Sequence, residues 1–185
     1  MGDSTRCRRF GGWLSVTVRA AVITVSDSRA GGGRDDASGD VIAQRLATLP
    51  AELISRELVA DDGDAVRSAV LRALDEAQLI VLTGGTGLGP RDVTPQAVLT
   101  LLEYQVPGMA EAMRHEGMHH TPHAMLSRQV VGVANGCLVM SLPGNPRAVG
   151  ECLDAVWPAL PHALALLRGD TRHARVSSDQ EAPPV

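Results

Sequence analysis

Between Val81 and Pro95 the chain reads VLTGGTGLGPRDVTP, with four glycines in six positions, then an arginine, an aspartate and a Thr-Pro step. Glycines let backbone amides approach a ligand with no Cβ in the way, and successive amides in such a turn form an anion-binding concavity. Gly84, Gly85, Thr86 and Gly87 are therefore candidates for holding phosphate. Thr94 is expected to cap a helix and Pro95 to be its first residue. That helix start would turn its positive dipole end toward the same pocket. Pro143, Gly144 and Asn145 repeat the device, with Asn145 as cap and Pro146 as first helical residue. Two such turns suit a ligand with more than one anionic group. The loop lacks the Gly-Lys-Ser/Thr ending of a Walker loop and the G-x-G-x-x-G spacing of a dinucleotide fold.

Asp92 carries the next inference. With Thr94 as cap, the Asp92 carboxylate is surplus to the helix start, and a carboxylate beside phosphates repels them unless a divalent cation lies between. Mg²⁺ is bound in that way, by one or two carboxylates plus phosphate oxygens. Asp61, at the end of a strand, raises the same question, because Asp62 or Asp64 can cap the helix that follows. For either aspartate alone, a cap or turn role is the alternative. Together with the glycine loop they point to a metal–phosphate site in which Asp61 and Asp92 are catalytic and hold Mg²⁺. A second motif, HEGMH from His115 to His119, has the H-E-x-x-H spacing of zinc proteases. Gly117 is expected to interrupt its helix, and Pro122 ends any continuation before His123, so zinc chemistry is set aside.

These residues need strand ends to hold them. Short β-branched or continuously apolar runs mark strands at Arg19–Ser28, Ala51–Ala60, Gln78–Thr83 and Gly136–Leu142. Helical spacing appears over Asp40–Leu49, over Asp64–Ala77 and over Pro95–Leu102. A further helix is expected from Pro107, and two more after Asn145. Alternation of strand and helix predicts a three-layer α/β/α domain with a mostly parallel sheet. Ligands of such sheets sit beyond the carboxyl ends of the strands. The loops Ser26–Gly39, Thr83–Asp92 and Pro143–Pro146 fall there. Residues 1–17 are expected to be a flexible leader, 18–169 one domain and 170–185 a disordered tail.

Composition narrows the partners. The 185 residues are 44% hydrophobic and 21% charged, enough for one core. All 17 basic residues are arginines and the net charge is −4, which argues against tracking a nucleic-acid backbone. Cys7, Cys137 and Cys152 fit neither a zinc set nor a disulfide framework and read as free thiols in a reducing compartment. The apolar stretch after Arg6, Arg8 and Arg9 is too short for a signal peptide or a membrane span. The expectation is a cytoplasmic protein without membrane contact.

TGGTGLGPRDVTPQA, PGMAEAM, MLSRQVVGV and SLPGNPRAV, in that order, resemble the MogA/MoaB family of molybdenum-cofactor biosynthesis, which includes the G domains of gephyrin. VSDS followed by DDASGD is similar to the family's first loop. The resemblance runs from about Arg19 to Gly169. It implies a molybdopterin-binding fold assembled as a homotrimer. It also implies adenylylation of molybdopterin by Mg-ATP with release of pyrophosphate, and hand-over to a MoeA-type molybdenum insertion protein. The family's two aspartates fall on Asp61 and Asp92. Its nucleotide and pterin loop falls on Gly84, Gly85, Thr86 and Gly87, and its first loop on Ser26 and Asp27. Two other functions share the pattern: a MoaB-like protein that binds molybdopterin without catalysis, and a CinA-type nucleotide pyrophosphatase.

Overall fold

A computed structural model describes residues 17–27 and 35–170. The leader up to residue 16, the tail from residue 171 and positions 28–34 of the first loop lie outside the described residues. Six strands form one sheet in the order β2-β1-β3-β6-β5-β4. They are β1 (Val18–Val25), β2 (Ala51–Val59), β3 (Leu79–Thr83), β4 (Tyr104–Gln105), β5 (Val131–Ala134) and β6 (Cys137–Leu142). The pairs β1–β2, β1–β3 and β3–β6 are parallel, while β5 runs antiparallel to β6 and β4 antiparallel to β5.

The helices are α1 (Ala37–Leu46), α2 (Gly63–Leu74), α3 (Thr94–Leu99), α4 (Pro107–His120), α5 (Pro146–Val156) and α6 (Leu160–Leu167), with a 3₁₀ turn at Pro122–Leu126. They cover both faces, as the alternation of side chains along the strands requires. Val18, Ala20 and Val22 of β1, with Leu79 and Val81 of β3, pack under α1, α4, α5 and α6. Ala21, Ile23 and Val25, with Ile80 and Leu82, pack under α2 and α3. β1 and β3 are therefore apolar on both faces, which is why they read as continuous hydrophobic runs.

Two strands escaped the sequence reading. β5 and β4 have four and two residues, too short for a period to register. The missed signal was the Asn135-Gly136 dipeptide. Both residues have positive φ, 48° and 70°, and they close a two-residue hairpin between Ala134 and Cys137, the turn that Asn-Gly favours.

α1 begins three residues before the expected Asp40. Asp36 takes its cap by accepting from the Gly39 amide at 3.0 Å. Burial pushes the Asp36 carboxyl up, but the hydrogen bonds from Arg56, Gly39 and Thr24 outweigh it and hold the group below the usual carboxylate value. α5 starts as expected: the Asn145 side-chain oxygen accepts from the Arg147 amide at 2.9 Å, with Pro146 in the first turn. Cys137 and Cys152 are buried free thiols. Burial pushes them up to about 12 and about 11, so neither is a nucleophile at neutral pH. Among the described residues no helix is long and apolar enough to cross a membrane.

Candidate active site

The four parallel strands lie side by side as β2-β1-β3-β6, so their carboxyl ends open on one edge of the sheet. From β1 the chain moves outward to β2 and then back across to β3, so the winding reverses between β1 and β3, where crevices form in such sheets. Asp61 follows β2, Ser26 and Asp27 follow β1, Gly84–Gly87 follow β3, and Pro143–Asn145 follow β6. All the candidate residues from the sequence therefore sit on one rim.

The loops after β3 and β6 are packed backbone to backbone. Thr83 Oγ1 donates to the Pro143 carbonyl at 2.7 Å, and the Gly84 amide donates to the Leu142 carbonyl at 3.1 Å. A Cβ on Gly144 would lie 3.3 Å from Gly84 Cα. Gly84 itself has φ +101°, and a Cβ there would overlap the carbonyl oxygen of Val25. Only glycine fits between β1 and β6 at this point.

Beyond Gly84 three successive carbonyls each have a donor. The Gly85 carbonyl accepts from the Thr94 amide at 3.2 Å and the Thr86 carbonyl from the Arg128 amide at 2.9 Å. The Gly87 carbonyl accepts from Arg128 Nε at 2.7 Å. The described residues contain no cis peptide, and in a trans peptide C=O and N–H point in opposite directions. Fixing these three carbonyls therefore turns the amides of Thr86, Gly87 and Leu88 the other way. No acceptor among the described residues engages them. Three consecutive amides left without an acceptor can form an anion nest.

The acidic side chains flank this nest. A Cβ on Gly85 would be 3.4 Å from Asp61 Oδ1, and one on Gly87 would be 2.9 Å from Asp92 Oδ2. Asp62 caps α2 through the Asp64 and Ala65 amides, which leaves Asp61 free of that task, as the sequence suggested. Asp61 instead exchanges two hydrogen bonds with Asp27. The Asp27 amide donates to Asp61 Oδ2 and the Asp61 amide donates to Asp27 Oδ1, both at 2.9 Å. Asp27 Oδ2 pairs with Arg91, so the carboxylate of Asp27 is engaged on both sides by protein. Burial first, and then the charge of Asp92, push the Asp61 carboxyl above its ordinary value. One carboxylate thus lies beside Gly85 and the other beside Gly87, near enough for the charge of Asp92 to act on Asp61.

That donor set suits a hard cation. No group of three or more His, Cys, Asp or Glu side chains among the described residues can hold a metal by itself. A cation shared by Asp61 and Asp92 must take its remaining ligands from phosphate oxygens and water, the usual manner of Mg²⁺.

Three expectations are corrected. Thr94 does not cap α3: Val93 occupies the cap position without a side-chain bond, and Thr94 is already helical. Its amide is drawn to the Gly85 carbonyl, which pulls the helix start one residue forward. Asp92 is therefore not surplus because Thr94 caps. One of its oxygens is used within the loop, accepting from the Gly89 amide at 2.8 Å, and its other oxygen has no partner among the described residues. Gly117 does not interrupt α4, which runs to His120. Gly117 is buried there, and a Cβ on it would come within 2.8 Å of Ala124 in the 3₁₀ turn. His115 and His119 meet edge to face at 4.8 Å, and His119 and His120 turn to Glu116.

Thr94 leaves a different mark. It is fully buried, yet its hydroxyl has no hydrogen-bond partner among the described residues, and it lies against Gly85 beside Asp61. An unsatisfied buried hydroxyl costs about 1–3 kcal/mol. Thr94→Val should therefore stabilise the ligand-free protein by about 1 kcal/mol or more, read as a higher urea midpoint. A lower midpoint would mean that the hydroxyl has a partner in solution.

The chain matches known proteins in sequence as well as in fold. Residues 21–162 match the model of the probable molybdopterin binding domain. The chain is 38% identical to the molybdopterin adenylyltransferase of Helicobacter pylori strain J99 over 83% of its own length and 90% of that protein's. It is 32% identical to the molybdopterin adenylyltransferase of Escherichia coli K12 over 83% of its length and 87% of that protein's. The crystal structure of the molybdopterin biosynthesis enzyme MoaB from Thermus thermophilus superimposes with a TM-score of 0.78 at 43% identity, covering 83% of this chain and 98% of that one. With the family model spanning most of the folded chain, and strand ends and loops arranged as the motifs require, the chain belongs to the MogA/MoaB family of molybdenum-cofactor biosynthesis proteins.

Proposed function

We propose that this protein is a molybdopterin adenylyltransferase, joining molybdopterin to the adenylyl group of ATP and releasing pyrophosphate. Its relatives of that name match nearly end to end. What carries the reading at the site is the nearness of Asp61 and Asp92 to one another and to the loop whose Thr86, Gly87 and Leu88 amides lack acceptors among the described residues. Acid groups held against an anion nest are useful only to a ligand that brings cations with its phosphates.

In this reading the terminal phosphate of molybdopterin attacks the α-phosphorus of ATP, and the bond to the pyrophosphate oxygen breaks. A phosphate monoester has its second pKa near 6, so it is largely dianionic at pH 7 and needs no strong general base. The protein's work is to position two mutually repelling anions. The nest amides would hold phosphate oxygens, Asp61 and Asp92 would hold Mg²⁺, and Ser26, Pro143, Gly144 and Asn145 would line the pterin and nucleotide cleft at the ends of β1 and β6, on either side of β3. Asp27 orients Asp61 through their paired hydrogen bonds. Mg²⁺, when bound, supplies charge neutralisation for the phosphoryl oxygens in transit. The family resemblance alone extends the reading to a cytoplasmic homotrimer that passes its product to a MoeA-type insertion protein.

The test is incubation of the purified protein with molybdopterin, ATP and Mg²⁺. Pyrophosphate and an adenylylated pterin should appear together, and chelation by EDTA should stop both. Pterin binding without pyrophosphate would make the protein a non-catalytic carrier. Nucleotide cleavage without the pterin would make it a pyrophosphatase of the CinA type.

A further inference from the structure

Arg128 lies outside every loop considered so far. It stands 36 positions beyond Asp92, between the 3₁₀ turn and β5, yet it reaches back to the glycine loop at three points. Its amide donates to the Thr86 carbonyl at 2.9 Å and its Nε to the Gly87 carbonyl at 2.7 Å, and an Nη nitrogen donates to the Asp92 carbonyl. One planar guanidinium thus straddles the segment from Gly87 to Asp92 and joins its two ends.

We infer that Arg128 is a positioning residue for the adenylyl-transfer site: its guanidinium fork holds the Asp92 backbone and aims the Leu88 amide. Two arguments carry this. First, its Nε takes the Gly87 carbonyl, which belongs to the peptide unit that presents the Leu88 amide, so the side chain decides where that amide points. Its third contact fixes the backbone of Asp92, whose carboxylate closes the same loop through the Gly89 amide at 2.8 Å. Second, no carboxylate among the described residues pairs with Arg128, whereas Arg91 is tied to Asp27. An arginine side chain stays ionised in proteins. Arg128 is satisfied by carbonyl dipoles, so its full charge stands behind a loop built to receive anions.

Geometry and charge can be separated by substitution. A lysine at 128 keeps the charge but presents one compact ammonium, which cannot straddle two carbonyls as the flat fork does. A methionine removes both. This inference rests on the function proposed above for its kinetic readout, so a second measurement is independent of it: hydrogen exchange at the Gly89, Asp92 and Thr94 amides. All three donate within the loop or to its base.

The experiment compares wild type, Arg128→Lys and Arg128→Met in kcat, in KM for ATP, in melting temperature and in amide exchange. Both variants should fold. Exchange at the three amides should rise at least tenfold while β1 and β3 stay protected. Turnover should fall about 100-fold, the scale of a misplacement of about 1 Å at a reacting centre, with KM changed less than threefold and no rescue by lysine. Wild-type turnover in Arg128→Lys, or unaltered exchange in both variants, would overturn the inference. So would a uniform rise in exchange across the sheet, which marks general loosening. Absence of turnover in wild type itself defeats the proposed function, and the exchange data still decide the role of Arg128. Should Arg128→Met not fold, Arg128→Lys alone carries the comparison.

Discussion

Asp61→Asn is expected to lose adenylyl transfer by about a thousandfold or more while becoming more resistant to unfolding at neutral pH than the protein it came from. The two halves have one cause. Asp61 is pushed above its ordinary value by burial and by the facing charge of Asp92. A carboxyl raised in the folded state binds its proton more tightly folded than unfolded. Stability is therefore lost as pH rises from the unfolded value, near 3.9, through the raised folded value, and at pH 7 the whole penalty is present. Asparagine removes the charge and keeps an oxygen able to accept from the Asp27 amide. The melting temperature should rise at pH 7, and the gap should close as pH falls through the carboxylate range. The activity loss follows because a ligand for Mg²⁺ contributes several kcal/mol to charge in transit, and roughly 4 kcal/mol is a factor of about 1,000. Asp92→Asn should lose as much activity, and its fold should survive because the amide oxygen can still accept from Gly89. Unimpaired turnover in either variant, or an Asp61→Asn protein that melts lower at pH 7, would defeat the electrostatic account.

The same pair shows where the sequence was legible. Asp61 stood out because Asp62, with better spacing to the next amides, took the cap, and that local chemistry is written in three consecutive residues. The Asn145-Pro146 helix start was legible for the same reason. So was the alternation of β1, β3 and β6 with helices, because strands buried on both faces cannot hide their composition. Thr94 misled because a Thr-Pro step specifies a helix start only until a tertiary bond intervenes, here from its amide to Gly85. Gly117 misled because glycine weakens a helix only where nothing packs on it, and Ala124 does. Arg128 lay inside MLSRQVVGV, one of the stretches that carry the family resemblance, but its role was not legible there. It sits in a stretch without turn or cap signals, and its function lies in three carbonyls more than 30 residues away. No spacing rule reaches that far.

Gly84 tests the architecture of the rim itself, and Gly84→Ala should be the most damaging single methyl group in the domain. Its φ of +101° lies where residues with a Cβ are strained, at a cost of about 1–3 kcal/mol. Its Cβ would also overlap the Val25 carbonyl oxygen at the end of β1, which is main chain and cannot rotate away. Forcing backbone apart in packed surroundings costs about 1–3 kcal/mol more. A combined loss of about 2–6 kcal/mol is a large share of the roughly 5–15 kcal/mol by which a domain is stable. Gly136→Ala is the matched control. It also has positive φ, +70°, but meets nothing within 4 Å, so it should cost only about 1–2 kcal/mol. Guanidinium unfolding of the two variants separates the contributions, because the control carries the conformational strain without the clash. Equal midpoints would show that β1 and the glycine loop are not in contact in solution. A deep loss confined to Gly84→Ala would show that the crevice between β1 and β3 is closed at its base by bare backbone. A rigid floor of that kind is what lets the nest amides and the two aspartates keep their geometry without a ligand.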